Sequence, residues 1–199
     1  MEPWRAAIKR SFDILLSAIG LVLLSWLIVL TYVAACLDTG ASGFFRQDRV
    51  GRFGRIFKIT KLRTMRVDST IDTTVTTASD PRITRLGRLF RRYKIDELPQ
   101  LFNVFMGHMS FVGPRPDVKG FADQLEGEDR LILSVRPGIT GPATLRFRNE
   151  ERLLQDCDDP EHYNRDVIFA EKVRLNLEYI RNYRLSDDLK IIWRTLFLR

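Results

Sequence analysis

The chain has 199 residues, two cysteines and two histidines, enough to bury one core without disulfide or metal staples and too few for two large domains. Cys36 lies in an apolar run and Cys157 in an acidic loop, and His108 and His162 stand alone, which argues against a disulfide framework, a thiolate site or a histidine zinc site. The net charge of +7 is concentrated, since Asp38 to Ile95 holds 14 Lys and Arg against 5 Asp and Glu; such a field attracts anionic head groups, nucleotides or nucleic acid unless it is only a solvated face.

Ile14 to Leu37 reads ILLSAIGLVLLSWLIVLTYVAACL, 24 residues without a charge, long enough to cross a hydrocarbon layer. Its length and the Cys36-Leu37-Asp38 flank argue against a secretory signal. A soluble helix of this kind would need apolar contacts all round. Both flanks are basic, with Arg5, Lys9 and Arg10 before it and Arg46, Arg49, Arg52 and Arg55 after it, so a simple span leaves one flank on the wrong side. A helix that enters the bilayer, bends and leaves by the same face removes that conflict, and Ser25 near the middle is the expected break. Residues 1–40 are read as this membrane-inserted segment and residues 41–199 as a small compact domain.

Gly51 and Gly54 punctuate a turn, and the alternation from Ile56 to Lys61 predicts a strand. The Thr-rich stretch 69–79 reads as an exposed loop. Asp80-Pro81 predicts a helix start with Ile83, Leu86, Leu89 and Tyr93 as its apolar stripe and five arginines on the other faces. A second helix start follows in IDELPQLFNVFMG, with Asp96 placed to cap, Gly107 as the stop, and Leu98, Leu101, Phe102 and Phe105 as the buried stripe. MSFVGPRPD and VRPGITGPA are rigid Gly/Pro turns, each presenting an arginine. A helical period returns from Tyr163 to Tyr183, and DLKIIWRTLFLR is an amphipathic piece suited to a bilayer surface or to packing on the domain.

Asp96 and Glu97 are adjacent carboxylates where ionised oxygens suit a hard cation such as Mg²⁺ or attack on an electrophile, although Asp-Glu at a helix start is usually capping alone. Arg115 and Arg136, held on proline-stiffened turns, suit bidentate contact with phosphate oxygens, and Lys58, Lys61 and Arg63 add cations from the strand. No Walker or GxGxxG motif is present, so a nucleotide would be gripped by side chains and turns.

These segments, KRSFDILLS, FKITKLRTM, DELPQLFNVFMGHMSFVGPRPD, VRPGITG and YIRNYRLSDDLKII, resemble in order and spacing the bacterial sugar transferase family, the monotopic polyprenyl-phosphate phosphoglycosyl transferases. The resemblance implies a mostly helical α/β fold with a re-entrant helix-break-helix and amphipathic interfacial helices, at the cytoplasmic face of the bacterial inner membrane. It implies that Asp96 attacks the sugar-linked phosphate of a UDP-sugar, expels UMP and holds a phosphosugar that a polyprenyl phosphate then accepts. Glu97 would bind metal with Asp96 or position the acceptor, Mg²⁺ would be the cofactor, and Lys61, Arg91, Arg115 and Arg136 match positions near substrate phosphates. Two departures stand out: Ser25-Trp26 replaces the usual Ser-Pro, removing a helix disruption of about 3 kcal/mol, and Thr144-Leu145 follows the second turn where relatives often carry glutamine. The rival readings are a non-catalytic anchored basic protein, or a tethered nucleic-acid module, which the scarcity of aromatics among the arginines disfavours; nucleic acid is therefore not expected as a partner, and self-association is left open.

Overall fold

The computed structural model describes residues 2–67, 80–155 and 157–197, so the Thr-rich stretch assigned to a loop lies outside the described residues. Its first element, α1 (Pro3–Thr39), is one uninterrupted helix of 37 residues that closes at Gly40 in the left-handed conformation. The break expected at Ser25 is absent. Trp26, unlike proline, keeps the amide that the backbone ladder needs, and the Ser25 hydroxyl donates within the helix to the Val22 carbonyl at 3.1 Å.

α1 is long and apolar enough to cross a membrane by length and composition, yet both of its ends lie against the same domain. Near the start, Lys9 pairs with Asp188 at 2.5 Å, Arg10 donates to the Val104 and Phe105 carbonyls, and the Asp13 carboxylate accepts from the Ser110 hydroxyl and the Phe111 amide. Near the end, Tyr32 and Ala35 pack with Leu62, Phe90 and Phe44. Between them Gly20 sits against Leu101. The opposite face, with Leu15, Ile19, Val22, Trp26, Leu30 and Val33, is exposed and apolar.

The chain then forms an antiparallel hairpin of β1 (Phe44–Val50) and β2 (Ile56–Leu62), registered from Phe44 against Leu62 to Val50 against Ile56. The tight turn between them puts Phe53 and Gly54 at φ +60° and +77°. β2 was legible from its alternation; β1 was not, because FFRQDRV carries no apolar period.

The helix predicted from Asp80-Pro81 begins four residues later, as α2 (Arg85–Tyr93), capped by the Thr84 hydroxyl, which accepts from the Gly87 amide at 2.8 Å. Asp80 instead folds back on Arg82, accepting from its backbone and guanidinium nitrogens. Phe90 is buried, while Leu89 and Tyr93, expected in the stripe, are exposed. Gly87 has no room for a side chain, since a Cβ would lie 2.0 Å from the Thr64 carbonyl oxygen.

Past the turn at Ile95–Glu97, α3 (Gln100–Phe105) buries Leu101 as expected but is otherwise rotated: Asn103 and Val104 are buried and Phe102 and Phe105 exposed. Asn103 explains the choice, because its amide donates to the Lys58 carbonyl at 2.8 Å and accepts from the Thr60 amide at 3.1 Å, bolting α3 to β2. Gly107, at φ +84°, ends the helix as predicted.

The two Gly/Pro turns lie side by side, joined by the parallel pair β3 (Ser110–Val112) and β4 (Gly138–Thr140). α4 (Pro142–Arg146), α5 (Glu150–Gln155), α6 (Pro160–Tyr163), which continues through one π-turn into α7 (Phe169–Arg181), and α8 (Leu185–Phe197) complete a mostly helical α/β fold. A core of Val50, Ile132, Leu133, Val173, Leu177 and Ile180 joins the hairpin to α7. α8 buries Asp188 and Ile191 and leaves Leu189, Trp193, Leu196 and Phe197 exposed.

Asp188 also accepts from the Tyr179 and Tyr183 hydroxyls at 2.6 and 3.2 Å. Removing it strands a buried ammonium and two phenols. Asp188→Ala is expected to cost about 3–5 kcal/mol, read as a lowered denaturant midpoint in detergent.

Candidate active site

Three segments meet at Asp96 and Glu97. α2 is fixed under the end of β2 by the Thr84 cap and the close approach of Gly87. It closes on Lys94 at φ +58°, an uncommon backbone for a residue with a Cβ, which turns the chain into the short 3₁₀ turn Ile95–Glu97. β2 contributes Lys61, and the turn after β3 contributes Arg115.

Glu97 is gripped from two sides, its Oε1 accepting from Lys61 Nζ and from Arg115 at 3.1 Å each. Burial would push its carboxyl up, but Lys61, Arg115 and Lys94 together hold it well below the usual carboxylate range. Asp96 goes the other way: burial first and the neighbouring Glu97 charge second push it up, against Lys61, Lys94 and Arg91. Asp96 is only 8% exposed, and its Oδ1 is buried without accepting a hydrogen bond. It caps no helix, since α3 starts at Gln100 without a side-chain cap. Two adjacent carboxylates thus have opposite characters: one held in its charged form by two cations, the other crowded, with an oxygen that accepts no hydrogen bond.

The other predicted cations are distributed unevenly. Arg91 donates to the Thr64 hydroxyl at 3.1 Å and its charge reaches Asp96. Arg136 donates to the Gly107 carbonyl at 2.8 Å. With Arg10 on the Val104 and Phe105 carbonyls, it satisfies the C-terminal end of α3, where cations are favoured. Arg63 ties down the α1–β1 connection through the Ser42 and Phe44 carbonyls. Lys58 lies on the face of β2 opposite Lys61 and is exposed, as the strand's period of two requires.

Sequence reasoning passed over Lys94, whose charge acts on both carboxylates, and the pair Arg49 and Asp117 beside Arg115. Burial pushes the Asp117 carboxyl up to about 6 despite Lys172, Arg49 and Arg115. Burial and the nearby Arg115 charge lower Arg49 to about 10. The available signal was the spacing in PRPD, which puts Asp117 two residues past Arg115. Four cations, Lys61, Arg91, Lys94 and Arg115, therefore surround two carboxylates, a net positive cradle suited to phosphate oxygens.

Residues 4–198 match the family described as bacterial sugar transferase. The chain belongs to that family. Among curated members it is 36% identical to the UDP-N-acetylgalactosamine-undecaprenyl-phosphate N-acetylgalactosaminephosphotransferase of Aeromonas hydrophila, covering 98% of this chain and 44% of that protein. It is 32% identical to the exopolysaccharide production protein ExoY of Rhizobium meliloti, covering 98% of this chain and 87% of that one. It is 37% identical to the undecaprenyl-phosphate glucose phosphotransferase of Komagataeibacter xylinus, covering 98% and 36%. The chain thus spans nearly all of the Rhizobium family member and less than half of the other two.

The opposed environments of the two acids give opposite stability effects. Glu97, with its pKa lowered in the fold, stabilises the protein above the ordinary value of about 4.3 and loses that contribution as pH falls toward its folded value. Asp96, with its pKa raised, opposes folding while ionised. At pH 7.5, Glu97→Gln is expected to destabilise by about 2–3 kcal/mol, less than a fully buried pair because Arg115 is partly exposed. Asp96→Asn is expected to raise the unfolding midpoint. Urea titrations of both variants and the parent check this.

Proposed function

We propose that this chain transfers a sugar 1-phosphate from a UDP-sugar to undecaprenyl phosphate, releasing UMP, through an aspartyl-phosphosugar intermediate on Asp96. The observation that carries the reading is the unpartnered buried Oδ1 of Asp96 beside a Glu97 already neutralised by Lys61 and Arg115. The names of the Aeromonas and Komagataeibacter family members support the donor and acceptor classes.

The electrostatics favour a covalent route. An Asp96 oxygen forms a bond to the sugar-linked phosphorus while the bond to the UMP oxygen breaks, and the carboxylate loses its charge as the acyl phosphate forms. A charge crowded by burial and by Glu97 in the ground state is relieved during reaction, and interactions of that kind accelerate the chemical step. Lys61, Arg115, Lys94 and Arg91 screen the approach of one anion to another. The second step reverses the logic: a phosphate oxygen of the lipid attacks the same phosphorus and Asp96 leaves as a carboxylate.

The oxygen donors fit Mg²⁺, which is commonly held by one or two carboxylates plus substrate phosphates. Asp96 would hold it through the oxygen that does not bond phosphorus, with the Glu97 oxygen not engaged by Lys61 and Arg115 as the second donor. When bound, the ion neutralises charge on the diphosphate.

The proposed seat is the cytoplasmic face of the bacterial inner membrane. Support comes from the contacts of both α1 ends with one domain and from exposed apolar residues on α2, α3 and α8: Leu89, Tyr93, Phe102, Phe105, Met106, Leu189, Trp193 and Phe197. These residues suit the headgroup boundary.

Two outcomes are expected. Asp96→Asn loses at least about 10³-fold in UMP release, and mass spectrometry finds a phosphosugar on Asp96 after incubation with donor alone; parental turnover in the variant, with deamidation excluded, overturns the reading. Cysteines placed at Arg5 and Arg46 label from the same side of sealed vesicles, and opposite-side labelling would establish a span.

A further inference from the structure

Two adjoining hollows lie at the opposite end of α1 from the carboxylates, and the proposed reaction uses neither. One, of about 410 Å³, is lined by Arg5, Arg181, Arg184, Asp187 and the Asn182-Tyr183 turn. The other, of about 370 Å³, shares Arg5, Tyr183 and Arg184 and is walled by Trp4, Ile8 and Leu185. A basic basin therefore opens directly into an apolar groove.

The groove stands where two apolar stripes meet. Trp4 and Ile8 continue the outward face of α1 that runs on through Leu15, Ile19, Val22 and Trp26, and all six are exposed. Leu185 continues the α8 stripe of Leu189, Trp193 and Leu196 at helical spacing. An acyl chain leaving the groove would pass onto surface of its own kind.

The charges of the basin are only lightly committed. Arg5 pairs with Glu2 at 3.3 Å, donates to the Tyr183 carbonyl at 3.3 Å and lies over the Trp4 ring, and Arg181 pairs with Glu128 at 2.6 Å, but both acids are highly exposed, and surface pairs of this kind are weak. Asp187 is paired with Lys190 at 3.2 Å. The Arg184 guanidinium makes no hydrogen bond or ion pair among the described residues, although Arg184 lines both hollows. Guanidinium groups with spare donors beside an apolar slot match a phosphodiester attached to an acyl chain.

We infer that this basin and groove bind an anionic glycerophospholipid of the surrounding bilayer, its phosphate on Arg184, Arg181 and Arg5 and one acyl chain between Trp4, Ile8 and Leu185. The site pins the start of α1 and the α7–α8 turn to the headgroup layer and is separate from the substrate cradle. It depends on membrane insertion and not on the transferase reading.

Trp4 reports on the groove directly, since the chain has three tryptophans and Trp26→Phe with Trp193→Phe leaves Trp4 alone. The full chain is reconstituted in vesicles of fixed phosphatidylglycerol and phosphatidylcholine content, with brominated acyl chains carried by one lipid or the other. Each arginine near an anionic surface contributes roughly a fivefold preference, so brominated phosphatidylglycerol is expected to quench Trp4 at least threefold more strongly than brominated phosphatidylcholine. The preference should vanish in Arg181→Glu/Arg184→Glu while the far-UV circular dichroism of the variant and its recovery in the vesicles match the parent. Equal quenching by the two lipids in the parent overturns the inference, and needs no charge variant to fold. So does a preference that survives charge reversal, or quenching relieved by a few mole per cent of undecaprenyl phosphate, which would make the groove a substrate-lipid site.

Discussion

The ion pair between Lys9 and Asp188 decides how an apolar helix and a polar domain become one molecule. A 24-residue uncharged run has no reason to prefer one rotation against the domain. The stripe of Lys9, Asp13 and Ser17 supplies one, because buried polar groups must find partners or remain costly. Lys9 finds Asp188 and Asp13 finds Ser110 and Phe111. Only one rotation and one axial position of α1 satisfies them together. Replacing such a buried pair by apolar groups is often neutral for stability, so the gain here is registry.

That registry reaches the carboxylates through short, stiff connections. Arg10, one residue past Lys9, satisfies carbonyls at the end of α3, and α3 is bolted to β2 through Asn103. β2 carries Lys61, which grips Glu97. The position of α1 and that of the carboxylate pair are therefore set by one chain of hydrogen bonds. Ala35, Leu62 and Phe90 close the circuit from the other end of α1.

Much of the site was legible because its chemistry is compact in sequence. Asp96 and Glu97 are adjacent, and Arg115 is marked by the prolines around it. What periodicity could not settle was which face a short amphipathic helix would bury. Periodicity puts the aromatic and leucine positions of α2 and α3 inward, and Ile83 and Leu101 are indeed buried, yet Leu89, Tyr93, Phe102 and Phe105 are exposed while Asn103 and Gly87 are inside. The rule that apolar residues go inward assumes water outside. It also ignores backbone demand, and a polar Asn that pins two strand residues takes the interior position. The Ser25 break failed for a different reason. The charged flanks argue for a bend near Ser25, but their placement on one side requires only that both ends of α1 meet the domain, which an unbroken helix lying along it also achieves.

The arginines of the fold divide between carboxylates and backbone carbonyls. Of the predicted cations, Lys61 and Arg115 contact Glu97 and Arg91 acts on Asp96 through its charge, whereas Arg136 and Arg63 are occupied with backbone carbonyls and Lys58 faces away. Carbonyls at a helix end or a strand connection require donors as strictly as phosphates do, and a guanidinium serves either. The distinction lies in what each arginine's neighbours leave unsatisfied. Around Gly107 the demand is met by Arg10 and Arg136. At Asp96 an oxygen is left buried without a donor beside a carboxylate that already has two. That asymmetry is the physical reason for proposing the bond-forming role for Asp96 and the holding role for Glu97.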